Sequence, residues 1–326
     1  MRLSVVSGLL AATFALVGAL AVVPAVEARR VERDAAAPSE ESRYVTVRGG
    51  RLHVVILEPP AGGSSGKTLL LLHGASGNLR DLQESIGRRL SRRHRVVLVD
   101  RPGHGFSDRL GGREMASPAL QGNAIAEALD ALGVGRVVVV GHSWSGSLAT
   151  NLALDHPAHV SGLVLLSPAT HPWIGGDAWY NTAAAAPVLG PLFVAAIAGP
   201  VGYLTFDTAL ERVFRPHQPP PDYVRRTNAR LLLRPAEFQA NAQDLIDLKP
   251  FLARQSQRYG AIHVPTTIIT ADKDTIVSPD VHARPIHRQI RGSKLVVIKD
   301  AGHMSHWTAT DRVISEIEAV AAKATR

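Results

Sequence analysis

The sequence predicts an α/β fold with a mostly parallel, doubly wound sheet. Short apolar segments alternate with helix-compatible segments from residue 68 to residue 166, and this alternation is typical of parallel strands joined by right-handed helical crossovers. The strand segments are apolar throughout, as expected where both faces of a sheet are covered. The pattern stops at Ser167-Pro168 and resumes at Val264. In such sheets functional loops gather at the carboxyl ends of the strands.

The N-terminal residues 1–28 are predicted to lie outside this fold. No charged residue interrupts the stretch from Leu3 to Val26, and at ~1.5 Å per residue a helix of this length could cross a bilayer. Two interpretations stay open, a signal peptide cut near Ala28 and a retained membrane anchor followed by Arg29-Arg30. Either one predicts a chain that is membrane-anchored or exported, with the side of the membrane undecided, and membrane association through residues 3–26.

Residues 29–43 are polar and charged and are predicted to form a linker. The core is expected to occupy residues 44–167 and 261–326. Its first two strands should form a hairpin, because Gly49-Gly50 separates two segments of alternating polarity. Together the predicted strands make an eight-stranded sheet, with segments at 43–47, 51–57, 68–72, 95–100, 137–140, 160–166, 264–270 and 294–299.

Residues 168–260 contain prolines, tryptophans and helical patches, but no clear strand. We interpret them as a helical cap inserted over the ends of the strands. The choice of substrate is expected to depend on this cap, and its sequence does not identify the substrate.

The composition restricts the classes of function. The chain has no cysteine, which excludes disulfides, thiolate metal sites and a cysteine nucleophile. The net charge is +8, but the basic residues are dispersed, so nucleic-acid binding is not predicted. Neither His282 with His287 nor His303 with His306 has an obvious third ligand. We therefore predict no metal and no organic cofactor, and leave the oligomeric state open.

One stretch indicates nucleophilic catalysis. Four valines at 137–140 lead into Gly141-His142-Ser143-Trp144-Ser145, and a helix-compatible segment follows. A strand, a sharp turn and a helix would raise the hydroxyl of Ser143 above the sheet edge, and small residues around it allow such a turn. Ser145 is the alternative nucleophile. It lies further from the strand, and we expect it to pack at the start of the helix.

A serine nucleophile needs a histidine base and a carboxylate that orients the base. Acid candidates follow the strand at 264–270, where Asp274 is preferred over Asp272 and Asp280. Base candidates follow the strand at 294–299, where His303 is preferred over His306, because Gly302 gives the loop freedom to turn the ring inward.

The chain resembles the α/β-hydrolase superfamily over about residues 44–322. The motifs that carry the resemblance, in order, are Leu72-His73-Gly74, Asp100–Asp108, Gly141–Ser145, Asp272–Pro279 and Ala301–Met304. The resemblance implies a nucleophile at Ser143, an acid at Asp274, a base at His303, and oxyanion donors at the backbone N–H groups of Ala75 and Trp144. This chain departs from the family pattern at Ser145, where glycine is usual.

These observations predict a serine hydrolase that cleaves an ester-type bond of a small, apolar molecule through an acyl-enzyme. Enzymes of this superfamily that hydrolyse C–C bonds, and cofactor-free perhydrolases, keep the same three residues and are the alternative. A hydrolase-like binding protein without turnover is a further alternative of a different class.

Overall fold

The structure, a computed structural model, describes residues 41–325. The predicted N-terminal apolar segment, residues 1–28, lies outside the described residues, as does most of the predicted linker. One eight-stranded sheet runs through the fold in the order β1-β2-β4-β3-β5-β6-β7-β8. The strands are β1 Ser42–Val47, β2 Gly50–Leu57, β3 Thr68–Leu72, β4 Arg95–Val99, β5 Val137–His142, β6 Val160–Leu166, β7 Thr266–Ala271 and β8 Lys294–Ile298. β1 thus begins within the predicted linker.

The sheet is parallel from β4 to β8 and antiparallel only at β1 and β2, which confirms the predicted fold class. The register aligns Leu72 with Val99 and Gly141, and aligns Ala271 with Ile298. The loops after these strands therefore leave the sheet at one edge. All the predicted catalytic residues lie in those loops.

Helices cover both faces of the sheet. In chain order the α-helices are α1 Leu79–Leu82, α2 Arg88–Leu90, α3 Pro118–Ala131, α4 Ser145–Asp155, α5 Trp179–Ala185, α6 Leu189–Phe193, α7 Gly199–Phe214, α8 Tyr223–Thr227, α9 Pro235–Gln255, α10 Ala283–Gln289, α11 Ser305–Thr308 and α12 Thr310–Lys323. π-helical turns at Gln83–Gly87 and Val194–Ala198 join α1 to α2 and α6 to α7. Short 3-10 helices lie at Arg113–Ala116, Pro157–His159, Ala229–Leu233 and Ser256–Ala261.

The strand β5 shows why the sheet is doubly wound. Val137 and Val139 pack in a core cluster with α3 and α4, whereas Val138 and Val140 pack in a second cluster with α12. All four valines are fully buried. Side chains of a strand alternate between its faces, so an unbroken apolar run buries both faces, and each buried valine contributes about 1.5–3 kcal/mol.

Between β6 and β7 the described chain contains helices and loops only, from α5 to α9; we call this segment the cap. Its longest helix, α9, contacts α5 within the cap and the Arg113–Ala116 turn of the core. Within the described residues, one helix is long and apolar enough to cross a membrane, Leu189–Phe214, and few of the residues in its most apolar part are buried. It is internal to the chain and distinct from the N-terminal segment that the sequence singled out.

Candidate active site

Ser143 occupies a tight turn between β5 and α4. Its φ is +53°, a left-handed conformation that is uncommon for a residue with a side chain. Its N–H donates to Leu166 O at 2.9 Å, and its carbonyl accepts from the N–H groups of Gly146 and Ala169. A Cβ on Gly141 would lie 2.4 Å from the carbonyl oxygen of Ser145, so the turn closes only because residue 141 has no side chain.

The structure brings together the three predicted catalytic side chains. The distance from Ser143 Oγ to His303 Nε2 is 2.9 Å, and the distance from His303 Nδ1 to Asp274 Oδ2 is also 2.9 Å. With Nδ1–H donating to Asp274, Nε2 is the free acceptor for the serine hydroxyl. His303 and Asp274 are buried, whereas Ser143 is partly exposed. This is the geometry that a serine nucleophile and its base require.

Asp274 is held in its ionised form. Its second oxygen, Oδ1, accepts hydrogen bonds from the N–H groups of Ile276 and Val277, each at 2.9 Å. Burial alone would raise the pKa of this carboxyl. The charge and hydrogen bond of His303, with the two backbone donors, outweigh burial and hold the pKa below its ordinary value. The carboxylate is therefore fixed in orientation and charged when it faces His303.

The competing candidates lie elsewhere. Asp280 is largely exposed and pairs with Arg284 at 2.7 Å, and Asp272 lies 3.9 Å from Lys273. His306 is buried, but its Nε2 donates to Asp81 at 2.9 Å rather than to Ser143. None of these three side chains contributes to the hydrogen-bonded chain at Ser143.

Ser145, the departure from the family pattern, has a defined contact. Its hydroxyl donates to the carbonyl of His73 at 2.5 Å, and the residue is fully buried at the start of α4. Glycine at this position could not make that bond. The hydroxyl ties the turn that carries Ser143 to the loop that follows β3.

That loop carries the predicted oxyanion donors. Gly74 lies so close to the turn that a Cβ on it would be 2.9 Å from Ser143 Cβ. Among the described residues, neither the N–H of Ala75 nor that of Trp144 donates a hydrogen bond to another protein group. Within the described residues these two backbone N–H groups are therefore unoccupied, which an oxyanion donor requires.

His73 fixes the shape of the same loop. Burial, with the charges of Arg101 and His104, lowers the pKa of His73 to about 3, so the ring is neutral. One ring nitrogen donates to Gly74 O at 2.8 Å and the other accepts the N–H of Arg101 at 3.0 Å. A neutral imidazole has one donor and one acceptor nitrogen, and both are satisfied here.

A buried ionic network attaches the cap to this site, and sequence reasoning missed it. Asp244 of α9 accepts from Arg101 at 2.6 Å, from Arg109 at 2.9 Å and from His104 at 3.0 Å. Its backbone carbonyl accepts from the Trp144 indole at 3.0 Å. Although Asp244 is fully buried, the charge of Arg101 and these hydrogen bonds hold its pKa far below the ordinary value. The backbone of His104 bonds within its own turn, and its side chain binds the cap.

One further cluster has a metal-like composition. Asp81, His142 and His306 place ligand atoms within 4.8 Å of one another. Both oxygens of Asp81 are already occupied, one by His306 and the other by the side chains of Trp307 at 2.7 Å and Tyr223 at 3.0 Å. Burial keeps the pKa of His142 well below its ordinary value. Asp81 therefore already has three hydrogen-bond donors, and a cation at its Oδ2 would displace the one from His306.

Comparisons with known proteins agree with this architecture. The alpha/beta hydrolase fold pattern matches residues 67–310. A 107-residue stretch is 36% identical to the dihydrolipoyllysine-residue acetyltransferase component of the acetoin cleaving system of Cupriavidus necator, covering 32% of this chain and only 28% of that protein. The 2-hydroxy-6-oxo-6-phenylhexa-2,4-dienoate hydrolase of Comamonas testosteroni is 25% identical over 259 residues, 76% of this chain and 84% of the relative.

Among solved structures, the enol-lactonase from Burkholderia xenovorans LB400 superposes with a TM-score of 0.66 at 21% identity, covering 86% of this chain and 100% of that chain. At this level of identity the likeness is one of fold.

Proposed function

The chain belongs to the α/β-hydrolase family, and we propose that it is a serine hydrolase that cleaves an ester-type bond of a small, apolar substrate through an acyl-enzyme. The observation that carries this proposal is the unbroken chain from Ser143 Oγ through His303 to Asp274, with 2.9 Å at each step. In this proposal residues 168–260 form the cap, and residues 44–167 and 261–326 form the core. Residues 3–26 either anchor the protein in a membrane or direct its export.

The proposed reaction begins when His303 Nε2 takes the proton of Ser143 as Oγ attacks the carbonyl carbon of the substrate. Asp274 stabilises the imidazolium that forms. The N–H groups of Ala75 and Trp144 bind the oxyanion, where loss of one such donor typically costs about 3–4 kcal/mol. His303 then protonates the leaving alcohol. In the second half, His303 takes a proton from the water that attacks the acyl carbon, and it returns that proton to Ser143 Oγ as the acyl–serine C–O bond breaks and the acid leaves.

Two classes of chemistry fit the residues around Ser143. The name enol-lactonase describes cleavage of a cyclic ester, which supports ester hydrolysis. The relative from Comamonas testosteroni is named for hydrolysis of a dienoate, which supports C–C bond hydrolysis as the second candidate. Parallel assays with an aryl ester and a vinylogous diketone separate the two, because both use the same three residues but differ in the bond that breaks.

Ser143→Ala tests the proposal. Without the nucleophile, ester turnover is expected to fall by about 10⁴-fold or more, and a fluorophosphonate probe should no longer label the protein. Ser145→Ala is the matched control, because it removes the neighbouring hydroxyl and leaves the nucleophile; labelling should persist. Labelling of Ser143→Ala, or none in the wild type, would contradict the proposal, and the second result would favour a binding protein.

A further inference from the structure

The outer face of the cap is unusually apolar for a surface exposed to water. Large side chains along α5, α6 and α7 are about half exposed or more, among them Leu192 at 66%, Trp179 at 71% and Leu204 at 82%. Scattered exposed apolar residues are ordinary on a protein surface, but a contiguous patch of this kind marks an interaction site. We call this patch the outer stripe; it comprises Trp179, Tyr180, Val188, Leu189, Leu192, Ile197, Val201 and Leu204.

Most of the outer stripe lies on the continuous helix Leu189–Phe214, which comprises α6, the π-helical turn and α7. The spacing of its apolar residues keeps them on one side of this helix. In regular α-helix, residues three or four positions apart share a face, as Leu189 and Leu192 do, and as Ile197, Val201 and Leu204 do. The step from Leu192 to Ile197 is five positions, and it crosses the π-helical turn Val194–Ala198. A π turn accommodates one additional residue, so the turn keeps the two halves of the stripe aligned.

The segment is also free of charge. From Ala178 to Phe206 the chain contains no acidic, basic or histidine residue. The inward side of the same helices is covered, because Ala184, Val194 and Ala242 form a buried cluster. The outer stripe is therefore a second apolar face that the described fold leaves uncovered, and the helix Leu189–Phe214 that carries most of it is long and apolar enough to cross a membrane.

We propose that the outer stripe docks the cap onto the surface of a phospholipid bilayer, with its apolar side chains in the acyl region. Aromatic and basic side chains of the kind found at membrane interfaces lie in or beside the stripe. Trp179 packs edge-on against Tyr180 and Phe193, with ring centroids 6.2 Å and 5.9 Å away, and aromatic rings of this kind prefer the headgroup level. Near Leu204, the guanidinium carbon of Arg230 lies 5.2 Å from the ring centroid of Tyr203 and 5.6 Å from that of Phe206. Its guanidinium also lies 3.7 Å from the carboxylate of Asp207, and a long basic side chain beside an apolar helix face can extend to the level of the lipid headgroups.

The chain outside the described residues favours a bilayer over a second protein. The apolar segment from Leu3 to Val26 is long enough to span a membrane. If it is retained, residues 28–41 link it to β1, and at ~3.5 Å per residue they reach about 49 Å. A catalytic domain held this close to a bilayer meets it at high effective concentration. The inference does not depend on the proposed ester hydrolysis.

Tryptophan quenching by lipid tests the proposal on the full chain. Vesicles of phosphatidylcholine and phosphatidylglycerol with brominated acyl chains should quench the emission of Trp179, and Trp179→Phe should remove that quenching. The double variant Leu192→Glu/Leu204→Glu places two charges on the stripe. Burial of each leucine favours the bilayer, so the quenching-detected affinity of the variant is expected to fall on the order of 100-fold.

The matched control is Leu120→Glu/Val297→Glu, which places the same charges on exposed apolar residues outside the cap and should bind like the wild type. Every variant keeps residues 1–28, so a contribution of that segment cancels. Activity is not measured, so failure of the proposed reaction cannot imitate failure here. Equal quenching in the stripe variant and the wild type would overturn the proposal. So would a dimer that the stripe variant converts to monomer while lipid leaves Trp179 unquenched.

Discussion

Two histidine–aspartate pairs lie side by side in this molecule and differ in what surrounds them. His303 meets Asp274 and His306 meets Asp81, each at 2.9 Å and each buried. The ring of His142 lies between them, with its centroid 4.9 Å from that of His303 and 4.4 Å from that of His306. By pair geometry alone, either histidine could serve as a catalytic base.

The third partner separates the two pairs. The remaining nitrogen of His303 reaches Ser143 Oγ, whereas the remaining nitrogen of His306 finds no hydrogen-bond partner among the described residues. Asp81 instead collects donors from α8 and α11, through Tyr223 and Trp307. The first pair therefore faces Ser143, the proposed nucleophile, and the second binds the cap to the core. The role of such a pair therefore depends on the group that contacts the second ring nitrogen of the histidine.

Replacing each aspartate by asparagine should give the largest difference between the two pairs, and the difference should be in kcat. Asp274→Asn can no longer stabilise the imidazolium or hold the donor tautomer of His303, so kcat for ester hydrolysis is expected to fall about 10⁴-fold. Asp81→Asn should leave kcat of the folded protein within about tenfold of the wild type. Steady-state kinetics at matched folded concentration measure both. Equal losses in the two variants would show that the second pair also takes part in catalysis.

The second pair is expected to contribute to the stability of the fold. Burial would raise the pKa of Asp81, but the charge and hydrogen bond of His306 hold it below the ordinary value of 3.8. The stabilisation from this carboxylate is thus present above pH 3.8 and lost as the pH falls through the folded pKa. Asp81→Asn is expected to lower the free energy of unfolding by about 3 kcal/mol at pH 7.

Urea denaturation measures that difference, and it should shrink in acid as the wild-type carboxyl takes up its proton. A variant as stable as the wild type at pH 7 would remove the structural role assigned to Asp81. Ser305→Ala, beside His306 on α11, is a suitable control, since its hydroxyl has no hydrogen-bond partner among the described residues.

Glu237 is a buried carboxyl for which the described residues provide no histidine partner, so its pKa shifts in the opposite direction. Glu237 accepts the N–H of Gly105 at 3.1 Å, and burial raises its pKa from 4.5 to about 8. Between these values the folded state holds a proton that the unfolded state has lost, so stability falls as the pH rises. Glu237→Gln removes this titration and should reduce the loss between pH 5 and pH 7 by about 2 kcal/mol. Thermal unfolding at both pH values provides the measurement; parallel pH profiles would contradict it.

Local sequence pattern and chain order are sufficient to predict the strands of this protein and the edge of the sheet at which the site lies. The run Val137–Val140 predicts a strand buried on both faces, and the structure places its alternate valines in two core clusters. The last two parallel strands were predicted at nearly their observed positions. Because the carboxyl ends of parallel strands lie at one edge of a sheet, the sequence alone predicts that Ser143, Asp274 and His303 lie at the same edge.

Tertiary structure alone decided the contacts between residues distant in the chain. Asp81 and His306 are 225 positions apart, and Arg101 and Asp244 are 143 apart; neither pair has a local signal. Ser145 departs from the family pattern, and the bond from its hydroxyl to His73 O depends on how the loop after β3 packs against the start of α4. Such contacts arise from the packing of whole elements, because side-chain direction and burial are set by neighbours that the local sequence does not contain.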